Sequence, residues 1–200
     1  MPQRACFVCK ERGEKDFFLN LKKIEKNFIK DILNDIPENL EKIFKNTSSI
    51  LCLDLYSKLP GKGINVCPKK SCLKETLKKL FKNKSVDIDT FIEFLIKNLE
   101  KEIITKLKRA KKAGLLLIGL DNISLKDKDD FLFVSSTISQ KNKEKLKAHF
   151  KNFFEIDEND LSYLLGMENK NIKYILLKNT PLGKDIKKLL NLYIKLKQEK

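Results

Sequence analysis

The chain has 200 residues, 34% charged and 42% hydrophobic, a balance that excludes an intrinsically disordered polymer and allows one or two domains with real cores. Its 42 lysines and arginines against 27 acidic residues leave a net charge of +15, which argues for a polyanionic partner. No run of about 18 apolar residues occurs, so no membrane-spanning helix is expected, and the opening Met1-Pro2-Gln3-Arg4-Ala5-Cys6 lacks the apolar core of a secretory signal, so the expected location is cytoplasmic.

In chain order, residues 1 to about 20 carry a cysteine pair, Cys6-Phe7-Val8-Cys9, and a short apolar stretch, Phe17-Phe18-Leu19. Ile24, Phe28 and Ile32, then Leu40, Ile43 and Phe44, fall at helical spacing, and Pro37 interrupts them. Two short helices are therefore predicted between Leu21 and Phe44. Ile50 to Tyr56 reads as a buried strand with Cys52 in its core. A glycine loop, Leu59-Pro60-Gly61-Lys62-Gly63, leads into a strand ending near Cys67, and Ser71 is placed to cap a helix through Leu73, Leu77 and Leu80. At Asn83-Lys84-Ser85 helical periodicity stops and a new cap, Asp87 or Asp89, follows, which marks a domain boundary.

A long amphipathic helix is predicted from Phe91 to Ala113, closed by Gly114 as a left-handed cap. Beyond it come a buried strand (Phe131 to Val134), a helix (Ser139 to Phe150), a strand (Phe153 to Ile156) and a short helix ending at Gly166. A strand from Ile172 to Leu177 and a helix from Pro181 to Leu196 complete the pattern. Strands alternating with helices of this length predict βαβ units and a three-layer α/β/α sandwich.

Four of the five cysteines fall in two pairs, Cys6 with Cys9 and Cys67 with Cys72. In a reducing compartment such spacing points to metal or redox chemistry before disulfides. Four thiolates at these spacings can bind zinc tetrahedrally; reduced thiols packed together, or a redox pair, are the alternatives. Any zinc held this way is structural, with no open position for catalysis. The glycine loop is too short for a phosphate-binding P-loop. It reads either as a tight turn or as an exposed basic tip, with Lys58, Lys62, Lys69 and Lys70 around it. Lys74 and Lys78 lie on the helix face opposite Leu73 and Leu77, and Arg4, Lys10 and Arg12 flank the first cysteine pair. The densest basic run, Lys106 to Lys112, contains Arg109 and Lys112 at a helix C-terminus, where cations also favour the helix dipole. His149 is the only histidine, and no triad, metalloprotease helix or dinucleotide fingerprint occurs. Neither an enzyme nor a small-molecule substrate is expected.

Arg4-Ala5-Cys6-Phe7-Val8-Cys9, followed by Leu59-Pro60-Gly61-Lys62-Gly63 and then Cys67 and Cys72, resembles the YlxR family of small bacterial nucleic-acid-binding proteins. That family shows an Arg-x-Cys-x-x-Cys start and a Gly-Arg-Gly-Ala-Tyr-x-Cys segment; this chain has Lys62, Ile64 and Asn65 in place of the arginine, alanine and tyrosine. Residues from about 21 to 46 look like a helical insertion. The later part, with Leu107 to Gly114, Gly119, Leu132 to Ser139 and Leu161 to Gly166, resembles bacterial relatives of the kink-turn-binding ribosomal proteins. Asp121, Asn122 and Leu125 stand where that family's RNA-reading motif has asparagine, glutamate and lysine, and Lys126 lies one residue beyond. Together the resemblances imply an α/β protein. A small α+β YlxR-like domain (1–83) is followed by a three-layer α/β/α domain (87–200). They also imply a structured-RNA partner, such as ribosomal or ribonuclease P RNA, and no membrane partner. A protein-interaction adaptor of the ribosome or transcription machinery, and a DNA-binding regulator, are the alternatives.

Overall fold

The computed structural model describes residues 3–26, 43–45, 47–82, 86–119, 128–168 and 170–199. They form a mixed α/β chain in two compact units, Met1–Leu99 together with Leu192–Lys200, and Glu100–Asn191.

In the first unit, β1 (Arg4–Ala5) and β2 (Arg12–Gly13) form a short antiparallel ribbon around the first cysteine pair. After a 3-10 turn at Lys15–Phe17 comes β3 (Leu19–Glu25), the central strand of an antiparallel sheet. Its neighbours are β4 (Ser49–Leu53) and β5 (Gly63–Val66), in the order β4-β3-β5. This corrects the expectation of a helix from Leu21. Leu19 and Leu21 are wholly buried while Lys23 is exposed, and Leu21 is paired with Leu53 on one side and Ile64 on the other. Hydrogen-bonding neighbours on both edges override a helical spacing that rested on the more distant Phe28 and Ile32. The remainder of the predicted helical pair, residues 27–42, lies outside the described residues, as does the boundary at 83–85. Phe44 is fully buried, its ring 5.1 Å from that of Phe81 and edge-on to Phe91 at 5.8 Å.

Helix α1 (Lys70–Phe81) buries Cys72, Leu73, Thr76, Leu77 and Phe81 along one face. Ser71 is inside its first turn and does not cap it. Lys69 takes the cap position, and the orphan amide of Lys70 donates to the Glu199 carboxylate at 2.8 Å, a partner 129 residues away. Helix α2 (Ile88–Lys112) begins three residues before the predicted Phe91, at the first of the two expected caps, Asp87. The Asp87 carboxylate accepts from the Asp89 amide at 3.1 Å and from the Thr90 hydroxyl. It ends in a Schellman turn: Leu115 donates to the Ala110 carbonyl, Gly114 donates to Lys111, and Gly114 has φ of +66°.

The second unit holds a four-stranded sheet of β6 (Leu116–Ile118), β7 (Phe131–Ser135), β8 (Asn152–Ile156) and β9 (Tyr174–Leu177), in the order β6-β9-β7-β8. The βαβ expectation holds for β7 and β8, which run parallel through α3 (Gln140–His149). It fails for β9, which inserts between β6 and β7 and runs antiparallel to both, so the sheet is mixed. Strand β6 is only three residues long, directly after the Gly114 turn, and gives no periodicity to read. The Asp157 side chain caps α4 (Glu158–Leu164), and α5 (Pro181–Gln198) ends the chain's regular structure. Leu132, Val134, Ile138, Leu146, Phe150 and Leu176 form one core, and the Phe133 and Phe154 rings stack at 5.0 Å. Among the described residues no helix is long and apolar enough to cross a membrane.

Gly183, in the first turn of α5, donates its amide to the Thr180 hydroxyl at 3.1 Å. A Cβ added there falls 2.0 Å from the Lys178 carbonyl oxygen, a backbone atom that cannot step aside alone. Gly183→Ala is therefore expected to destabilise the second unit by roughly 1–3 kcal/mol, although alanine favours helix over glycine by about 1 kcal/mol. Urea unfolding checks this; an unchanged or raised midpoint contradicts it.

Candidate metal centre and nucleic-acid interface

The cysteines converge because three local structures end at one point. The Lys10 amide donates to the Cys6 carbonyl at 3.2 Å and the Cys6 amide to the Glu11 carbonyl at 2.9 Å, closing a turn over residues 6–11. Lys10 takes a left-handed φ of 62°, which turns the chain back so that Glu11 pairs with Cys6. The Phe7 amide donates to the Asn65 carbonyl at 2.8 Å, pinning this turn to β5. Strand β5 then delivers Cys67, and the first turn of α1 delivers Cys72.

The four sulfurs lie within 4.8 Å of one another, with Cys9 and Cys67 at 3.6 Å. A single tetrahedral ion with sulfur bonds of about 2.3 Å separates its ligands by about 3.8 Å. The cluster thus fits one ion after a sub-ångström to ångström contraction, and it can hold a metal such as zinc. A multi-iron cluster would need sulfurs spread farther apart. With all four positions filled by protein, no site is left for water or substrate. Cys6, Cys67 and Cys72 are buried and Cys9 is exposed.

Charge in the cluster is uneven. Burial works to raise the Cys6 thiol, but the amides of Cys67, Cys9 and Val8 aim at its sulfur and outweigh burial, bringing it to about 6. Burial pushes Cys67 well up, helped by its hydrogen bonds to Cys6 and Cys9, and pushes Cys72 up to about 11. One thiolate thus forms easily and opposes its neighbours' ionisation, whereas a divalent cation would draw off the remaining protons. Cys52, in β4, stands apart from the cluster; burial raises it to about 12.

The basic residues divide into tied and available groups. Lys69 pairs with Glu11 at 3.0 Å, and Glu11 also reaches the Cys67 sulfur at 3.6 Å; the Lys69 contact is the main reason its carboxyl sits below the usual range. Lys70 pairs with Asp89 and Lys78 with Glu75. Exposed pairs of this kind contribute little to stability, so a phosphate can compete for them. Lys10 donates to the Phe7 carbonyl at 3.0 Å and shares the Phe7 ring with Lys79, at 5.8 and 5.7 Å from its centroid. Lys62 and Lys74 are exposed with no hydrogen bond or ion pair among the described residues. Arg4 and Arg12 are exposed too, but Arg4 lies opposite Gly13 and Arg12 opposite Ala5. Because side chains alternate along a strand, the two arginines leave the ribbon on opposite faces.

The glycine loop is held at its base by residues that sequence reasoning passed over. Asp54 is buried, and its carboxylate accepts the Lys58 amide at 3.0 Å. Its backbone exchanges bonds with Asn20, and the Lys22 ammonium donates to the Gly61 carbonyl. Lys58 lies 5.7 Å from the centre of the exposed Tyr56 ring. In the second unit, Arg109 and Lys112 are exposed on the last turns of α2, whereas Lys106 is buried against Asp185 and Glu102. Lys126, with Asp121, Asn122 and Leu125, lies outside the described residues. His149 packs edge-on to Phe150 at 5.4 Å. Set against known proteins, the chain matches no family model, and no curated protein or solved structure is significantly similar to it.

Proposed function

We propose that this protein binds structured RNA, mainly through its phosphates, and that the four cysteines hold a structural zinc ion that shapes the binding surface. In this reading residues 1–83 form a YlxR-like module. Residues 87–200 form an α/β/α module related to the kink-turn-binding ribosomal proteins, and the whole works in the cytoplasm without catalysis. Ribosomal RNA and ribonuclease P RNA are the structured targets that the resemblance favours.

The observation that carries the reading is the glycine loop. Its tip presents Lys62 to solvent, while Asp54, Asn20 and Lys22 fix its base and β5 ties it to the cysteine cluster. A lysine on a loop anchored this way can meet a phosphate without the entropy cost of ordering the backbone. Arg12, Lys58 and Lys74 add further exposed cations in the same unit. Lysine at the tip offers a point charge, not the two-pronged grip of arginine, which suits binding by backbone charge more than by base sequence.

Competition between labelled structured RNA and unlabelled duplex DNA at near-physiological salt tests the proposal. RNA is expected to hold the protein against an equal concentration of DNA. Preferential loss to duplex DNA would favour a DNA-binding regulator, and an absence of RNA binding above a neutral control protein would favour an adaptor that docks on protein.

A further inference from the structure

Resting on the RNA-binding reading, we propose that a cleft in the first unit, walled by Phe17, receives an unpaired base from a single-stranded stretch of RNA. The cleft measures about 500 Å³, within the range of small-ligand sites. Its floor is apolar, with Phe18 and Pro68 buried beneath it. Phe17 stands in its wall, a large apolar ring at 52% exposure with one face under the Lys195 ammonium. The Lys195 ammonium, from the last turns of α5, sits 4.7 Å from the Phe17 centroid.

The charges that line the cleft sort simply. Lys69 is neutralised by Glu11, whereas Glu199 accepts from the neutral Lys70 amide and remains a carboxylate in the lining. Arg12 and Lys195 remain as cations with no carboxylate partner at ion-pair distance among the described residues, with the Glu14 and Glu199 carboxylates elsewhere in the lining and Gln198 offering both an acceptor and a donor. A flat apolar ring, two cations and a polar rim match the parts of a nucleotide one for one. The base stacks on Phe17, Arg12 and Lys195 take the flanking phosphates, and the base edge meets Gln198 or Glu14. An acidic peptide would use the cations and leave the ring idle. Duplex RNA, with its bases stacked inside, could not reach the ring. The site would therefore favour RNA with a single-stranded segment beside its folded part, with little preference among bases because every base has a π-face.

The chain contains no tryptophan, so Phe17→Trp in the full-length protein places its only indole in the cleft. Titration with a single-stranded RNA oligonucleotide is expected to quench that indole in step with the rise in anisotropy of the labelled RNA. An abasic oligonucleotide of the same length should bind without quenching. Phe17→Ala should weaken single-stranded binding about fivefold or more at every salt concentration. The salt slope should stay unchanged, because stacking releases no counterions, and duplex binding should be unaffected. Single-stranded binding with neither quenching nor a loss in Phe17→Ala overturns the base site and leaves the RNA reading standing. Wild-type protein that binds no RNA, single-stranded or structured, overturns both.

Discussion

Stripping metal from the four-cysteine centre is expected to cost the first unit several kcal/mol of stability and to lower its melting temperature by ten degrees or more. Structural zinc contributes about 10–16 kcal/mol to the folding of zinc-finger peptides at neutral pH, and whole domains are stable by only about 5–15 kcal/mol. The first unit has its own core around Phe44, Leu73 and Phe91, so it does not depend on metal as completely as a finger does. The centre nevertheless joins Cys9 to Cys67 across 58 residues of sequence and fixes the turn that carries Lys10 and the start of α1. Without a cation the same sulfurs are three buried thiols and one exposed one, crowded within 4.8 Å, with a single easily formed thiolate among them. Each kcal/mol lost lowers the melting point of a chain of this size by about 2–4 °C. Differential scanning calorimetry before and after chelation checks the shift. Cys72→Ser should behave like the chelated protein, whereas Cys52→Ala, outside the centre, should keep its metal. A melting curve indifferent to chelator, in protein that elemental analysis finds free of metal, would leave the cysteines as packed thiols.

Replacing Lys58 and Lys62 with glutamine is expected to weaken binding to structured RNA roughly tenfold to a hundredfold, without altering the fold. Both side chains are exposed, and neither forms an ion pair among the described residues. The backbone bonds that shape their loop come from Asp54, Asn20 and Lys22 and survive the substitutions. Each phosphate contact removed should lower the slope of log affinity against log salt by about 0.9 for duplex regions. The pair Lys69→Gln and Lys70→Gln provides the contrast. Their ammonium groups are engaged by Glu11 and Asp89 in the free protein, so part of any gain from a phosphate is offset by the broken pair. A smaller loss is expected there. An equal or larger loss would move the centre of the interface from the loop to the start of α1.

Where a segment's structure was decided by neighbours in sequence, it was legible. Strand β7 announces itself as Phe131-Leu132-Phe133-Val134, and Asp87, Gly114, Asp157 and Gly166 mark helix ends through side-chain caps and left-handed turns that need no distant partner. The paired spacing of the cysteines likewise marks the centre in the sequence. What escaped notice was set at long range. Strand β3 is a strand because β4 and β5 flank it, and α1 is capped by Glu199 instead of Ser71 because the chain's far end returns to it. Strand β9 enters the middle of its sheet, a choice that local periodicity cannot express. The same limit applies to the lysines. A basic side chain looks equally available in any sequence, and only the fold shows that Lys69, Lys70 and Lys78 face carboxylates, that Lys22 holds a loop, and that Arg4 and Arg12 point apart.

The central claim is that a basic surface built around the cysteine centre binds RNA through phosphates. The affinity of the intact, metal-loaded protein for a structured RNA, measured by anisotropy across a series of potassium chloride concentrations, tests it most directly. A straight, steep fall of log affinity with log salt is expected, becoming shallower when Lys58 and Lys62 are replaced. Affinity that ignores salt, or a slope untouched by those substitutions, would contradict it.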